Sequence, residues 1–421
     1  IRPLPDDLPK MHQLMRPVFL VHAVFFGFFC FSSVFHVWDL YHPEASWMQP
    51  ADQAIPLIAE AQRYYLLGHA SFVAGLFSVM SYKRKGTWQF RTSMPFSRLL
   101  IFAGVGFLCA GFLTGQIGAF NQFSVKLDTL AAISFILSFA VALIYKDKAT
   151  RLVSSVIYSI MFVAVITSGW KHRVIGLNGL FLAFLLPYYK RSVAIIGAVA
   201  IFLAATLLPA YNNVFRSLNW NGTTSADVAA ITVIQRISDG EVDVSRHSWN
   251  FLSNRITEIG LFTKYVETTP VQRPYYGAQI VAQAILSVIP RALWSEKPVT
   301  EDLVMQRVYE NSAVATYSDV SAKPQMLVDG YLSAGALGVL LTGFLMGIAF
   351  SLVSRLSEKY LAGYRFGTAV IYTGLFTTQI LTNSFEFFFN AFAWSLVTML
   401  LIFIVLRSAG ILFWDRRPNP S

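Results

Sequence analysis

The 421-residue chain is 55% hydrophobic and 15% aromatic, and only 13% of its residues are charged. A soluble domain usually carries about 25% charged residues, so this composition excludes an ordinary soluble protein and predicts one that is embedded in a bilayer. The formal net charge of +10 does not indicate nucleic-acid binding, because the basic residues form short clusters between apolar runs, as orientation signals do.

Apolar runs of about 17–25 residues match a hydrocarbon core about 30 Å thick. Ten such runs predict ten transmembrane helices, at residues 17–37, 60–81, 98–119, 128–145, 152–169, 174–189, 192–211, 333–354, 366–385 and 389–412. No small-residue cleavage site follows the first run, so we expect it to be a retained span and not a signal peptide. The fifth and sixth runs are separated only by residues 170–173, which predicts a tight helical hairpin.

Positive charge is distributed unequally between the two sides of these predicted spans. The short segments on one side hold nineteen Lys and Arg residues, whereas those on the other hold only Arg63, Lys126, Lys171 and Arg173. This bias predicts a multi-pass membrane protein with both termini in the cytoplasm. The predicted organisation is helices 1–7 in residues 1–211, a large periplasmic loop in 212–332, and helices 8–10 in 333–421.

The long loop has the apolar periodicity of helices. Apolar residues recur at helical spacing within 228–237, 251–262 and 280–289, which predicts a mostly helical cap. Residues 277–286 are nearly uncharged and too short to span, so they are expected at the interface or as a re-entrant segment. Ten Lys and Arg residues in the loop favour an anion site, although any single one can simply face water.

Metal binding is not predicted. Asp239, Glu241 and Asp243 alternate, as ligands of a divalent ion can, but their setting is more typical of an exposed turn. Cys30 and Cys109 both lie in apolar runs, where we expect packing residues and no disulfide.

Three segments resemble Wzy-type polysaccharide repeat-unit polymerases. The strongest is Pro290-Arg291-Ala292-Leu293-Trp294-Ser295-Glu296-Lys297-Pro298, which is similar to a segment of their large periplasmic loop. Ser168-Gly169 with Arg173, and Asp329-Gly330-Tyr331 with Gly335 and Gly338, are similar to two further pieces in the same order. Trp170, Lys171 and His172 lengthen the first of these, and Asp329 stands where the family pattern has Glu.

The resemblance covers roughly residues 165–350 and implies an all-α, GT-C-like membrane glycosyltransferase related to O-antigen ligases. The implied substrates are undecaprenyl-pyrophosphate-linked glycans, used in O-antigen and lipopolysaccharide biosynthesis on the outer face of the inner membrane. The implied partners are membrane lipids, a chain-length regulator and a flippase. No cofactor is implied.

The implied reaction needs cations for the leaving pyrophosphate and a base for the attacking sugar hydroxyl. Arginine suits pyrophosphate because its planar fork stays charged and binds in a bidentate manner. The expected pyrophosphate-binding residues are Arg173, Arg255, Arg291 and Lys297, and the candidate bases are Glu258, His247 and Asp329. Arg255 and Glu258 would be neighbours on one helix, either as an acid–base pair or as a salt bridge. Arg291 can equally be an anchor that fixes the loop.

Other functions remain open at the level of sequence. An O-antigen ligase, which moves finished glycan onto lipid A, would have the same topology. A lipid-linked glycan flippase or secondary transporter would be expected to carry ionisable residues inside its spans and an inverted repeat. A membrane acyltransferase would need a catalytic histidine, for which His22, His36 and His69 show no partner pattern.

Overall fold

The structure, a computed structural model, describes residues 8–41, 51–81, 86–220, 224–254, 256–291, 293–315, 323–382 and 384–415. These residues are mostly helical, as the sequence predicts. The helices of the first half are α1 Leu20–Phe25, α2 Ser33–Leu40, α3 Ala51–Val79, α4 Phe96–Gly115, α5 Asn121–Ile144, α6 Lys148–Ile166, α7 Lys171–Leu185 and α8 Lys190–Asn219. A π-helical segment, Phe26–Phe31, connects α1 to α2.

The long loop is helical as well. It contains α9 Ala226–Ser238, α10 Val244–Asn254, α11 Ile259–Thr268, α12 Gln279–Ser287 and α13 Thr300–Glu310. The C-terminal part contains α14 Met326–Tyr360, α15 Thr373–Leu375 and α16 Phe385–Ser408, with a π-helical segment at Tyr364–Tyr372 and a 3-10 helix at Thr377–Leu381. The short strands β1 Thr87–Phe90 and β2 Leu412–Asp415 pair antiparallel, with Thr87 opposite Asp415.

Seven described helical segments are long and apolar enough to cross a membrane: Leu20–Leu40, α4, α5, α6, α8, α14 and α16. The other three predicted spans are helical but differ in form. The second predicted span lies in α3, which carries the polar residues Glu60, Arg63 and His69. The sixth corresponds to α7, which has only 15 residues. The ninth is divided among the π-helical segment, α15 and the 3-10 helix.

The chain forms two compact units. One contains residues 1–92, 109–130 and 257–421, and the other contains 93–108 and 131–256. The long loop is therefore divided between the units after Ile256, so that α9 and α10 belong to one unit and α11 to α13 belong to the other.

In the unit of residues 1–92, 109–130 and 257–421, helices α3 and α14 pack together closely. A Cβ on Gly343 or Gly347 would collide with the backbone carbonyls of Gly68 and Phe72, respectively. Glycines at a four-residue spacing on one helix face allow this approach, as in small-residue contacts between transmembrane helices. The contact fixes the second half of α14 against α3.

Helix α14 folds back on itself near its start. Ala334 and Gly335 leave the helical conformation, and Gly335 has φ +58. A Cβ on Gly338 would collide with the carbonyl of Gly330, although eight residues of straight helix would separate these positions by about 12 Å. The amides of Tyr276 and Gly277 donate to the last carbonyls of the first segment, Leu332 O at 2.9 Å and Ser333 O at 3.1 Å.

A buried ion pair joins the N-terminal segment to the far end of α14. Arg16 and Glu358 are both fully buried, with Arg16 Nε 2.9 Å from Glu358 Oε1. Arg16 Nη1 also donates to Gln13 Oε1 at 2.8 Å, and its guanidinium lies 5.4 Å from the centre of the Tyr364 ring. Because both charges are paired and hydrogen-bonded, their burial is tolerated.

The unit of residues 93–108 and 131–256 has its own small core. Phe215 of α8 packs with Ala229 and Val233 of α9. Ser248 of α10 donates its hydroxyl to the carbonyl of Thr206 at 2.6 Å, which attaches α10 to α8. The periodicity of residues 251–262 suggested one continuous helix, and this prediction is wrong, because α10 ends at Asn254 and α11 begins at Ile259.

Candidate functional site

The most distinctive polar feature of the described residues is an ionic cluster buried among three helices. Arg307 of α13 donates from Nε to Asp329 Oδ1 at 3.0 Å and from Nη2 to Asp329 Oδ2 at 2.9 Å. The same guanidinium donates to Glu386 of α16, from Nη1 to Oε1 and from Nη2 to Oε2, both at 2.7 Å. Arg307 is only 2% exposed, and both carboxylates are fully buried. One guanidinium therefore serves two carboxylates with bidentate geometry.

Further contacts fix both carboxylates. The amide of Phe385 donates to Asp329 Oδ2 at 2.7 Å, and the hydroxyl of Ser287 donates to the backbone carbonyl of Glu386 at 2.8 Å. Burial alone would lower the pKa of Arg307, but Asp329 and Glu386 outweigh it and raise that pKa. The guanidinium is therefore charged, and it connects α13, α14 and α16 at one point.

A hydrogen-bonded network lies at the end of α13. Glu310 accepts from the Tyr276 hydroxyl at 2.7 Å and from Arg273 Nη1 at 2.9 Å. Asn311 donates to Tyr276 Oη at 3.1 Å and receives the hydroxyl of Thr269 at 2.7 Å. Burial would raise the pKa of Glu310, but the donors around it, with the charge of Arg273, lower it instead. Glu310 is therefore an ionised anchor for the loop before α12.

The side chain of Lys297 caps the C-terminal end of α12. Its ammonium donates to the carbonyls of Ser287 at 2.5 Å and Ile289 at 2.9 Å. Trp394 of α16 donates Nε1 to the neighbouring carbonyl of Val288 at 3.2 Å. A lysine at this position both satisfies terminal carbonyls and complements the helix dipole. Lys297, predicted to bind pyrophosphate, therefore uses two of its three N–H donors within the protein.

Arg291 is a predicted site residue that stays accessible. It follows α12 directly and is exposed, and its side chain makes no hydrogen bond or ion pair among the residues that the structure describes. Burial, and then the nearby charge of Arg291, lower the pKa of Lys297. The alternative reading of Arg291 as a loop anchor would need hydrogen-bond acceptors around its guanidinium. The guanidinium of Arg291 therefore keeps its hydrogen-bond donors available for a ligand.

The surface beside Arg291 is apolar. Ile285 is 58% exposed, Leu286 45% and Leu293 82%. Exposed aliphatic side chains on a short helix, next to a cation, are typical of a segment that lies at a membrane interface. The interfacial prediction for residues 277–286 agrees with this pattern of exposure.

The three candidate bases lie in different surroundings. Asp329 belongs to the buried cluster, where Arg307 and Phe385 occupy both of its oxygens. Glu258 is half-buried at the position before α11. Burial, and then the charge of Asp329, raise the pKa of the buried Tyr265. The charge of Glu258 contributes to the same upward shift in that pKa. His247 lies on α10 in the other unit, with its Nδ1 3.0 Å from Asn213 Nδ2.

Arg173, another predicted cation, lies outside the unit that contains Arg291. Arg173 is exposed in the first turn of α7, in the unit that contains His247. Arg255 lies outside the described residues. The pairing of Arg255 with Glu258 therefore stays a prediction; residues 256–258 are not helical, and Thr257 Oγ1 accepts from the amide of Ile259 at 3.2 Å.

The acidic triplet forms local contacts. Glu241 lies 3.9 Å from Arg236 Nε, and Asp243 Oδ1 accepts from the amide of Arg246 at 2.9 Å. Asp243 thereby caps the first turn of α10. Within the described part of the chain, no group of three or more His, Cys, Asp or Glu side chains is arranged to hold a metal ion.

Sequence reasoning missed the two partners of Asp329. Arg307 was counted only as one of ten basic residues in the loop, and Glu386 was not considered. A signal for Glu386 was present, because it is a single charge within Phe385–Phe389, an otherwise aromatic run at the start of a span. Ionisable residues in such positions are functional candidates by default.

Comparison with known proteins gives one match. A family model for a domain of unknown function matches residues 1–413, which include both compact units. No curated protein and no solved structure matches the chain. The match therefore defines a family but brings no substrate or reaction with it.

Proposed function

The chain belongs to the DUF8712 family, and we propose that it is a membrane glycosyltransferase that polymerises undecaprenyl-pyrophosphate-linked oligosaccharide repeat units. The reaction would take place at the periplasmic face of the bacterial inner membrane. The proposal combines the resemblance of residues 290–298 to Wzy-type polymerases with the physical character of that segment.

The observation that carries the proposal is an exposed arginine directly after an exposed apolar helix. Arg291 has no partner for its side chain among the described residues, and Ile285, Leu286 and Leu293 beside it present aliphatic surface. A lipid pyrophosphate has the complementary form, an apolar chain attached to a compact, multiply charged head group. Arginine is well suited to such a group because its fork matches phosphate oxygens.

The reaction requires few groups. A hydroxyl of the acceptor repeat unit attacks the anomeric carbon of the donor, the new glycosidic bond forms, and the bond to the pyrophosphate oxygen breaks. The pyrophosphate leaves with the electron pair, and Arg291 stabilises its charge. The ammonium of Lys297, held by Ser287 and Ile289, adds positive charge beside it. The proton of the attacking hydroxyl passes to a carboxylate.

Glu258 is the candidate for that carboxylate. It is half-buried and lies in the same compact unit as Arg291, whereas Asp329 is fully buried and saturated with hydrogen bonds. His247 belongs to the other unit. Replacing Glu258 by Gln is expected to reduce polymer formation without reducing the amount of folded protein.

The test uses a strain that lacks the gene and is complemented by variants, with glycan length as the readout. Arg291→Ala and Arg291→Lys should insert normally yet make little polymer, because lysine loses the bidentate contact. Loss of one such transition-state contact should slow the reaction by about a hundred- to a thousandfold. Arg236→Ala is the matched control, since Arg236 is an exposed loop arginine with only a 3.9 Å ion pair, and it should leave glycan length unchanged.

The outcomes separate the competing functions. Lipid A that carries single repeat units identifies a polymerase, whereas full-length chains left on undecaprenol identify an O-antigen ligase. Normal glycan length with stable Arg291→Ala protein would remove Arg291 from the mechanism. Activity that falls only in proportion to the amount of folded protein would assign Arg291 to loop bracing.

A lipid-linked glycan transporter is the second candidate. Buried ionisable groups at the starts of two candidate spans, Asp329 and Glu386, favour it, as does the break in α14 at Ala334 and Gly335. Discontinuous helices and paired intramembrane charges are typical of transporters. In the complementation test, a transporter defect would leave repeat units on the cytoplasmic side, where externally added glycosidases cannot reach them.

A further inference from the structure

A cluster of aromatic rings lies where α3, α11 and the start of α14 meet. The ring of Tyr331, in α14, has its centre 4.8 Å from that of Tyr64 in α3 and 5.6 Å from that of Phe262 in α11. It also lies 5.9 Å from the ring of Tyr275, in the segment before α12. Tyr331 and Phe262 are buried. Tyr64 is half-buried and Tyr275 is 39% exposed, so these two form an outer surface, the tyrosine wall, over a buried aromatic base.

The tyrosine wall is held in place from behind. The hydroxyl of Tyr331 donates to the carbonyl of Thr269 at 2.6 Å. Tyr275 lies against the break in α14, since a Cβ on Gly335 would be 2.7 Å from Tyr275 Oη. The amides of the two residues after Tyr275 donate to the last carbonyls of the first segment of α14. A surface that is already ordered loses little conformational entropy when a ligand binds, which favours a binding role for the wall.

A carboxylate lies beside the wall. Glu60 precedes Tyr64 by four residues on α3, so both side chains lie on one face of the helix, and Tyr64 Oη donates to Glu60 Oε1 at 3.1 Å. Glu60 is half-buried, and within the described part of the chain Tyr64 is its one hydrogen-bond donor. A carboxylate accepts about four hydrogen bonds, so Glu60 keeps acceptor positions for a ligand.

Exposed rings beside a carboxylate have the chemistry that recognises a sugar. A pyranose has an apolar face of C–H groups and a rim of hydroxyl groups. The face packs on an aromatic ring, and the hydroxyls donate to a carboxylate. Tyrosines at a membrane interface are also exposed, but lipid does not account for the ionisable Glu60 in contact with one of them. The combination therefore favours a glycan over a lipid surface.

The tyrosine wall is close to the carboxylate that is the candidate base. The amide of Phe262 donates to the carbonyl of Glu258 at 3.1 Å, so these residues are one helical turn, about 5.4 Å, apart. The ring of Phe262 contacts that of Tyr331 and lies 6.1 Å from that of Tyr64. All of these residues belong to the unit that contains Arg291. An acceptor sugar and the base that takes its proton need this proximity.

We propose that Glu60, Tyr64 and Tyr275 bind the acceptor glycan, with a sugar ring packed on the tyrosine wall and its hydroxyls donating to Glu60. Arg291 then serves the donor, through its pyrophosphate, and the wall serves the acceptor, which carries the attacking hydroxyl. The acceptor role rests on the proposed function, whereas the ability to bind a glycan does not.

The test measures glycan binding by saturation-transfer NMR on purified full-length protein in lipid nanodiscs. Nanodiscs are used because the sugar head groups of maltoside detergents would compete. The probe is the free repeat-unit oligosaccharide of the surface polysaccharide of the source strain, without lipid or pyrophosphate. Wild-type protein should transfer saturation mainly to the C–H protons of one sugar ring, and a titration gives the Kd.

Five variants define the site. Tyr275→Ala should weaken binding about three- to tenfold, the effect of one lost ring contact. Glu60→Gln should weaken it about tenfold, since a charge-assisted acceptor becomes a neutral one. Tyr275→Phe keeps the ring and should bind as wild type. Tyr189→Ala is the matched control, because Tyr189 is also 39% exposed but belongs to the other unit. Arg291→Ala should bind normally too, because the probe has no pyrophosphate.

Loss of affinity in Tyr275→Ala and Glu60→Gln, with wild-type affinity in Tyr189→Ala, supports the site. Wild-type affinity in both of the first two variants would overturn it, as would an equal loss in Tyr189→Ala or no saturation transfer from wild-type protein. If Tyr275→Ala is not monodisperse, Glu60→Gln decides, because it keeps an acceptor for the Tyr64 hydroxyl. Normal glycan length in Arg291→Ala, together with these binding losses, would leave the glycan site standing and remove the pyrophosphate mechanism.

Discussion

Replacing Arg307 by alanine should leave two buried carboxylates, Asp329 and Glu386, without the cation that they share. Arg307 makes four hydrogen bonds of 2.7–3.0 Å to them, and its side chain is 3% exposed. Removing one partner of a buried ion pair costs about 3–5 kcal/mol, because the remaining charge stays buried and uncompensated. Since two carboxylates depend on the same guanidinium, we expect a loss at the upper end of this range.

The measurement is the fraction of monodisperse protein that remains in detergent after heating, because membrane proteins often unfold irreversibly. Arg307→Ala should strongly lower the temperature at which half of the monodisperse protein is lost. Glu386→Gln should have a small effect, because it keeps an acceptor for Arg307 and removes the surplus negative charge. Arg236→Ala should behave as wild type, since an exposed pair at 3.9 Å contributes little.

A triple variant separates charge from packing. Arg307→Met with Asp329→Asn and Glu386→Gln removes every charge of the cluster while keeping similar volumes, so it should recover much of the stability that Arg307→Ala loses. Arg307→Ala protein as stable as wild type would refute the reasoning. A triple variant no more stable than Arg307→Ala would show that volume, and not uncompensated charge, causes the loss.

Two further predictions concern single residues in the loop and in α14. Gly335→Ala should destabilise the fold in the same heating assay by more than about 1 kcal/mol, because a Cβ is strained at φ +58 and would meet Tyr275 Oη at 2.7 Å. Gly179→Ala, in open space on α7, should instead be neutral or stabilising. The pKa of Glu310 is lowered in the folded protein. Its contribution to stability is therefore present above its ordinary pKa of 4.5 and is lost as the pH falls from there through the lowered pKa. Glu310→Gln should therefore flatten the loss of thermal stability between about pH 5 and pH 3 relative to wild type, whereas an unchanged profile would contradict the assigned ion pair with Arg273.

Local patterns in the sequence were sufficient to predict most helices. The spacing of apolar residues in 228–237 and 280–289 corresponds to α9 and α12 with small differences at the ends. Composition and run length also predicted helices that can span a membrane, because these properties depend on neighbouring residues alone. These signals need no information about tertiary contacts.

Interruptions of helices were harder to predict. Between α10 and α11 the apolar period continues, but Ser253 and Thr257 use their hydroxyls for backbone hydrogen bonds that compete with the helix. In α14 the reversal at Gly335 depends on the amides of Tyr276 and Gly277, which lie more than fifty residues earlier. Periodicity cannot reveal a partner that distant in the chain.

The buried cluster shows the same limitation for the candidate site. Asp329 was identified from its local motif, but Arg307 lies 22 residues away and Glu386 57 residues away in the opposite direction. Their meeting is set by how α13, α14 and α16 pack, which no short pattern encodes. Arg291, by contrast, was selected from its own neighbours in the sequence; it is exposed, and its role stays a prediction.

The ion pair of Arg16 with Glu358 has a consequence for biogenesis. Arg16 is synthesised first, and its carboxylate partner follows 342 residues later. At about 5–20 residues per second, roughly 17–68 s of translation separate the two. During that interval the first helices enter the bilayer with an arginine whose final pocket does not yet exist. We therefore expect the N-terminal segment to stay at the aqueous surface until α14 has been made, so that burial of Arg16 is a late step in assembly.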